Sequence, residues 1–408
     1  MTRVLRCYDG DVHFCRLLFF FSVLAAVFPA RSATVLVIQF HNGSQYSDLD
    51  WVGESVAETL RSELAEAGQI VFDRDSRKEA LDRLALRHGA EFTKATLIRL
   101  GQTLDADYVC YGSYEVSLSP ADTELKNSSV QISAHLIDLR KMQTGPDLLE
   151  AGALSELSRL EEHLAWQSLR YLEPGSNLKV DDFLAPQKLT RVDAQESYVR
   201  GLLSPNKDQQ QKWFMQAAAL DPQFASPVFE LGRLALEKKD YQQALQWFQR
   251  IGPKDPHYTE ARFKMGLSAY GVGDYNAAAG YFREVLKQYP LNEVYNDLGA
   301  AEDHVNSAAA IDDLRHALDG DRNDPVYQFN LAAALLKNNN FDEAAKDFQT
   351  FVAAHPNDSE ARTLLDRAQK REAVTPGNGN PISERLKPKF DEAAFRQLKA
   401  MLQPKGGG

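Results

Sequence analysis

Hydrophobic positions change their period along this chain, and the changes mark its elements. Val35 to Phe40 form an almost unbroken apolar run, after which Val56, Leu60 and Leu64 recur at every fourth residue, which predicts a strand and then a helix over residues 55–67. Residues 69–72 read as a second short strand, and 76–87 and 94–104 as two more helices. Alternation over 107–117 and 129–139 predicts an antiparallel pair around the turn SPADTELKN, followed by an extended piece at 148–153 and a helix at 158–172. Residues 34–172 therefore read as a small α/β domain with a mixed sheet.

The second half has a different grammar. Gly232, Gly266, Gly299 and Ala332 recur at steps of 33 or 34, as do Ala244 and Ala278, Phe248 and Phe282, and the closing prolines Pro256 and Pro290. Small residues at such positions let two antiparallel helices approach closely. The aromatics at Tyr241 and Phe248 lie seven residues apart, two turns along one buried face. Each proline lacks an N–H and halts a helix. Residues 194–372 divide into five helical pairs at about 194–224, 225–257, 258–290, 291–323 and 324–357, with a lone capping helix at 358–372. In the fourth pair the turn is one residue shorter and Leu314 replaces the aromatic, so looser packing is expected there.

This pattern resembles the tetratricopeptide repeat (TPR) family, which implies an all-α superhelix with a groove lined by the first helix of each pair. The family's groove positions map to Phe229, Arg233, Phe263, Tyr270, Asn296, His304, Phe329 and Lys337. The resemblance implies an extended peptide or a helix of another protein as partner. The Lys and Asn grid with which chaperone-type members hold a terminal carboxylate is not evident. In the first domain, VLVIQFHN, WVGESVAETLRSELAEAG, LGQTLDADYVCYGSYEV and VQISAHLIDLRKMQTG resemble in order the TolB amino-terminal-like domain, whose family includes a flagellar outer-membrane assembly protein. That resemblance implies a docking role in the periplasm or cell envelope.

Composition and charge narrow the picture further. Arg3, Arg6 and Arg16 precede the apolar run 17–28, and Ala30-Arg31-Ser32 follows, so residues 1–32 read as a signal peptide cleaved near Ser32. The run is too short to span a bilayer, which makes an uncleaved membrane anchor the weaker alternative. Without these residues the net charge moves from −11 to −13, which speaks against nucleic acid as a partner. Cys110 is then the sole cysteine, and its strand context predicts a buried, inert thiol.

No constellation of catalytic residues, cofactor site or metal site emerges. Gly43 and Gly53 are ten residues apart with no Lys-Ser or Lys-Thr after them, unlike a phosphate loop. Asp48 and Asp50 are expected to cap the following helix. The nine histidines show no metal spacing, and Glu161 and Glu162 read as a solvated helix face. An exported, non-enzymatic scaffold is the leading expectation. The alternative is an enzyme or a receptor for a nucleotide or other small molecule, with its site in the first domain.

Two stretches remain, 173–193 as a linker and 373–408 as a flexible tail. Within the tail, FDEAAFRQLKAML sets Phe390, Ala394, Leu398 and Met401 on one stripe, so 390–402 is expected to form an amphipathic helix. It docks either on its own repeats or on a partner.

Overall fold

The structure, a computed structural model, describes residues 33–117, 128–185, 189–374, 382 and 384–402. Residues 1–32, expected as a signal peptide, the whole turn SPADTELKN and parts of the tail fall outside the described residues.

The first domain is built on β1 (Thr34–Val37), whose alternate side chains face opposite ways. Val35 and Val37 point into a core shared with α1 (Trp51–Glu66) and α4 (Leu157–Leu172), whereas Leu36 and Ile38 join a core with α2 (Arg74–Arg83) and α3 (Lys94–Thr103). Both faces of β1 are thus covered, which explains the apolar run from Val35 to Ile38. Among the described residues the mixed sheet runs β3 (Ile70–Val71), β1, β4 (Tyr108–Ser117), β5 (Ser129–Asp138), β6 (Gln143–Thr144). In addition, β2 (His41–Asn42) pairs with β4, and β7 (Leu148–Ala153) with β5. β1 is parallel to β3 and β4, and β4 and β5 form the long antiparallel ladder. Cys110 is buried in β4, and burial pushes its thiol up to about 12.

The corner between β1 and α1 serves packing. A Cβ on Gly53 would stand 2.0 Å from the Phe40 carbonyl oxygen, so glycine is required by close approach of α1 to the strand. The expected caps are corrected. Helix α1 begins at Trp51 with Asp50 at its N-cap, yet the Asp50 carboxylate accepts from Asn42 Nδ2 at 2.7 Å instead of from the helix, and Asp48 lies in a short 3₁₀ turn.

The stretch 173–193 is more than a connection. It contains α5 (Val180–Leu184), Leu178 and Phe183 pack on the α/β core, and the indole of Trp166 donates to the Leu178 carbonyl at 3.2 Å. Five helical pairs follow: α6 (Val192–Leu203) and α7 (Lys207–Leu220), α8 (Ala225–Glu237) and α9 (Tyr241–Phe248), α10 (Tyr258–Gly271) and α11 (Tyr275–Leu286), α12 (Asn292–Asp303) and α13 (Ser307–Gly320), α14 (Pro325–Lys337) and α15 (Phe341–Ala354). Helix α16 (Ser359–Gln369) stacks after them. Gly232 and Gly266 lie against the rings of Phe248 and Phe282 so closely that an added Cβ would come within 2.5 Å of either ring. The fourth pair is not loose. Ala310, Ile311, Leu314 and Ala317 are all buried, and a Cβ on Gly299 would meet Leu314 at 2.5 Å. The smaller Leu lets the two helices close up.

Candidate functional site

The face formed by α10, α12 and α14 is occupied by the end of the chain itself. Residues 384–391 run along it, with a bend at Pro388–Lys389, from the later repeats toward the earlier ones, and α17 (Glu392–Leu402) continues onto the first domain. Ile382 is buried in the core of the last repeats. The flexible tail expected over 373–408 is instead ordered by specific side chains over residues 384–402.

Residues 384, 385, 387, 388 and 390 of this segment each meet a distinct set of partners. The carboxylate of Glu384 is almost fully buried, paired with Lys337, 2.7 Å from His304 Nε2 and accepting from the Tyr270 hydroxyl at 2.9 Å. Burial on its own would raise this carboxyl, but the His304 hydrogen bond and the Lys337 charge outweigh it and hold Glu384 down at about 2. Lys337 also pairs with Asp303 at 2.8 Å. His304 stacks flat on Tyr275, with ring centres 3.7 Å apart.

Arg385 is held by both backbone and side chain. Its N–H donates to Asn330 Oδ1 at 2.8 Å, and its carbonyl accepts from Asn330 Nδ2 at 2.7 Å and Asn296 Nδ2 at 3.0 Å. The two asparagines bond each other at 2.9 Å. The guanidinium lies over the Phe329 ring and donates to Asp358 at 2.7 Å. A side-chain amide that satisfies both the N–H and the carbonyl of one residue imitates a strand neighbour, so it selects extended backbone. An asparagine clamp therefore exists, and it grips an internal residue instead of a terminal carboxylate.

Next along the segment, the N–H of Lys387 donates to Asp297 Oδ1 at 2.8 Å and its ammonium pairs with Asp324. Asp297 is fully buried, its Oδ2 has no hydrogen-bond partner, and burial pushes its carboxyl well above the usual range. The carbonyl of Pro388 accepts from Lys264 at 3.2 Å. The Phe390 ring packs edge-on against Phe263, with centres 5.0 Å apart.

Asp391 then caps α17 by accepting from the N–H groups of Ala393 and Ala394 at 2.8 and 3.0 Å. The helix packs Ala394, Phe395 and Leu398 against the third and fourth repeats. Met401, expected on the same stripe, is 77% exposed, so the packed face is centred on Phe395 instead. Arg396 donates to the Val71 carbonyl on edge strand β3, and Lys399 pairs with Glu66 of α1. Helix α17 therefore ties the repeats to the α/β domain.

Of the eight groove positions read from sequence, Phe263, Tyr270, Asn296, His304, Phe329 and Lys337 are brought together around this one segment. Phe229 and Arg233 are not. Phe229 is buried between Phe248 and His257, and Arg233 pairs with Glu230 beside a cavity of about 280 Å³ between the first repeats and the α/β domain. Asn330 and Asp297 were missed. Asn330 had a signal, since it lies one repeat period, 34 residues, beyond Asn296.

The solvated-face reading of Glu161 and Glu162 is corrected. Glu161 is fully buried where α1, α4 and α6 meet, accepting from Thr59 Oγ1 at 2.7 Å and from Gln195 Nε2. Burial pushes both carboxyls up to about 7. The signal was present, because Glu161 stands four residues after Leu157 and three before Leu164, on the apolar stripe.

Profiles of known families match both halves. Tetratricopeptide repeat profiles match residues 214–258, 260–292 and 306–368, and the profile described as peptidoglycan-synthase activator LpoB matches residues 23–145. No curated protein matches the sequence. Among solved structures, YrrB, a TPR protein with an unusual peptide-binding site, is 15% identical over 44% of this chain and 92% of its own, with a TM-score of 0.38. MamA from Desulfovibrio magneticus RS-1 is 20% identical over 41% and 96%, with a TM-score of 0.37. The LpoB C-terminal domain from Salmonella enterica is 19% identical over 30% and 84%, with a TM-score of 0.24. The chain is a tetratricopeptide-repeat protein with an amino-terminal α/β domain, and its repeats and LpoB-like domain are of protein-interaction types.

Proposed function

We propose that this protein is an exported, non-enzymatic adaptor of the cell envelope. Its α/β domain docks on one partner while the repeat groove holds an extended segment of another. The observation that carries this reading is the groove's fit to extended chain: two asparagines on its backbone, and separate sites for an acid, two cations and an aromatic. The likeness of residues 23–145 to peptidoglycan-synthase activator LpoB supports an envelope synthase as the partner of the first domain. The apolar run before Ser32 supports export with cleavage there. Site-specific photo-crosslinking in cells, with the label at exposed positions of the α/β domain, tests the reading. Crosslinks to an envelope enzyme are expected, and recovery of cytoplasmic proteins alone would overturn it.

One observation favours a second reading, an enzyme. Ser133 Oγ lies 3.3 Å from His135 Nε2, and His135 Nδ1 lies 3.1 Å from Asp147, the order of a hydrolytic triad. Ser133 sits mid-strand, however, between Ser113 of β4 and Leu149 of β7, where the ladder's amides are engaged and leave no oxyanion donors beside Oγ. Asp147 is 74% exposed, which weakens its hold on the imidazole. Labelling of Ser133 by a fluorophosphonate would favour the enzyme over the adaptor.

A further inference from the structure

We propose that residues 384–391 are an internal stand-in for a segment of a partner protein, which binds the groove by exchange with them. The partner segment is extended and carries an acidic residue followed directly by arginine, with lysine two residues on and an aromatic three beyond that. This inference rests on the adaptor reading of the groove and names what the groove accepts.

The spacing follows from the sites. Lys337 presents positive charge and His304 a ring nitrogen to position 384, Asp358 and the Phe329 ring receive a stacked arginine at 385, Asp324 receives an ammonium at 387, and Phe263 receives a ring at 390. Reversing the acid and the arginine would set like charges together at one buried and one part-buried site. Asn296 and Asn330 bond only main-chain atoms of residue 385, so they accept any extended segment.

Two observations argue for exchange over permanent closure. First, the tail leaves the groove imperfectly satisfied, since Asp297 Oδ2 is buried without a hydrogen-bond partner. A partner offering one further hydrogen-bonding group there would bind better than the tail does. Second, the tail's hold is largely polar and partly wet. The side chains of Arg385 and Lys387 keep 28% and 23% of their exposure, and α17 ends in the exposed Met401 and Leu402. Such contacts reopen more readily than a sealed apolar core.

Exchange has a consequence at a distance. The segment is continuous with α17, whose Arg396 and Lys399 hold the Val71 carbonyl and Glu66. A partner that evicts residues 384–391 loosens this strap and uncovers β3, an edge strand of the sheet. Groove occupancy is thereby reported to the α/β domain.

The test uses the full chain and a fluorescein-labelled peptide, ISERLKPKFD, identical to residues 382–391. A tethered segment competes at an effective concentration of about a millimolar, so wild-type protein should bind the peptide weakly. The chain carrying Glu384→Ala and Arg385→Ala should bind it at least tenfold more tightly by fluorescence anisotropy. Adding Lys337→Ala to that chain should remove the gain, and swapping the peptide's Glu and Arg should abolish binding. Peptide addition should also speed amide exchange over residues 66–73. Equal binding to wild type and variant, binding to neither, or unchanged exchange would overturn the proposal. Should the double variant lose its circular dichroism signal, Arg396→Ala with Lys399→Ala loosens the tail from its other end, and the same comparison applies. Failure to crosslink an envelope partner would overturn the adaptor reading and leave this result standing.

Discussion

The guanidinium carbon of Arg385 lies 3.5 Å from the centre of the Phe329 ring, while Asn330, the next residue of α14, bonds the Arg385 backbone on both its N–H and its carbonyl. One turn of one helix thus reads both the side chain and the main chain of the segment. A cation over an aromatic face contributes about 1–2 kcal/mol when partly desolvated. Arg385→Ala should therefore shift tail docking by roughly tenfold or more, read as faster amide exchange over residues 384–399. Arg385→Lys should fall between, because lysine keeps the charge for Asp358 but loses the planar stack and fork. Unchanged exchange in both variants would show that the stack does not hold the tail.

Two buried carboxylates give opposite pH dependences. Glu384 is held at about 2, below its ordinary value of 4.5, so its contribution is fully present above about 4.5 and is lost as pH falls toward 2. The tail should loosen first on acidification, before the repeats melt. Glu161 is raised to about 7, so the native state binds the extra proton: its contribution is full below about 4.5 and is lost as pH rises through 7. Glu162 acts in the same direction. Thermal melts of Glu161→Gln should show a shallower fall in stability between pH 5 and pH 8, on the order of 1 kcal/mol smaller than in wild type. An unchanged slope would mean that Glu161 does not take up the proton.

What the chain disclosed about itself depended on how local each feature is. Repeats carry their geometry in steps of 33 or 34 residues, so Gly232, Phe248 and their counterparts could be placed without coordinates. Strands β1, β4 and β5 were legible because burial imprints period and polarity on contiguous residues. The order of 384–391 was not, since its composition is that of a linker and its fixed course comes from hydrogen-bond partners in the repeats 27 to 124 residues away. Glu161 was misread because a charged residue was weighed by type and not by its place between Leu157 and Leu164.

Two glycines within one helical pair should respond in opposite ways. Gly266 faces Phe282, and an added methyl would come within 2.4 Å of the ring, so Gly266→Ala should cost about 1–3 kcal/mol by forcing α10 and α11 apart. Gly280 has open space around its Cβ position on the exposed side of α11, so Gly280→Ala should stabilise by roughly 0.5–1 kcal/mol through the lower entropy cost of ordering alanine. Urea titrations of the two variants check the signs. Similar losses in both would mean that helix packing does not explain the recurrent glycine.

The eight groove positions should divide into two classes that separate stability from binding. Phe229 is buried between Phe248 and His257, so Phe229→Ala opens a cavity costing about 3–5 kcal/mol. Its folded fraction should retain a groove that docks the tail. Lys337 lies at the end of α14 with its ammonium between Asp303 and Glu384, so Lys337→Ala leaves two buried carboxylates facing each other without their shared cation. The relief available is departure of Glu384 into water, which makes the tail the part that yields. Limited proteolysis reads this directly: cleavage between 375 and 402 should accelerate in Lys337→Ala well below its melting temperature. In Phe229→Ala, cleavage there should rise only in step with global unfolding. The reverse order of susceptibility would place Phe229 in the groove and Lys337 in the scaffold.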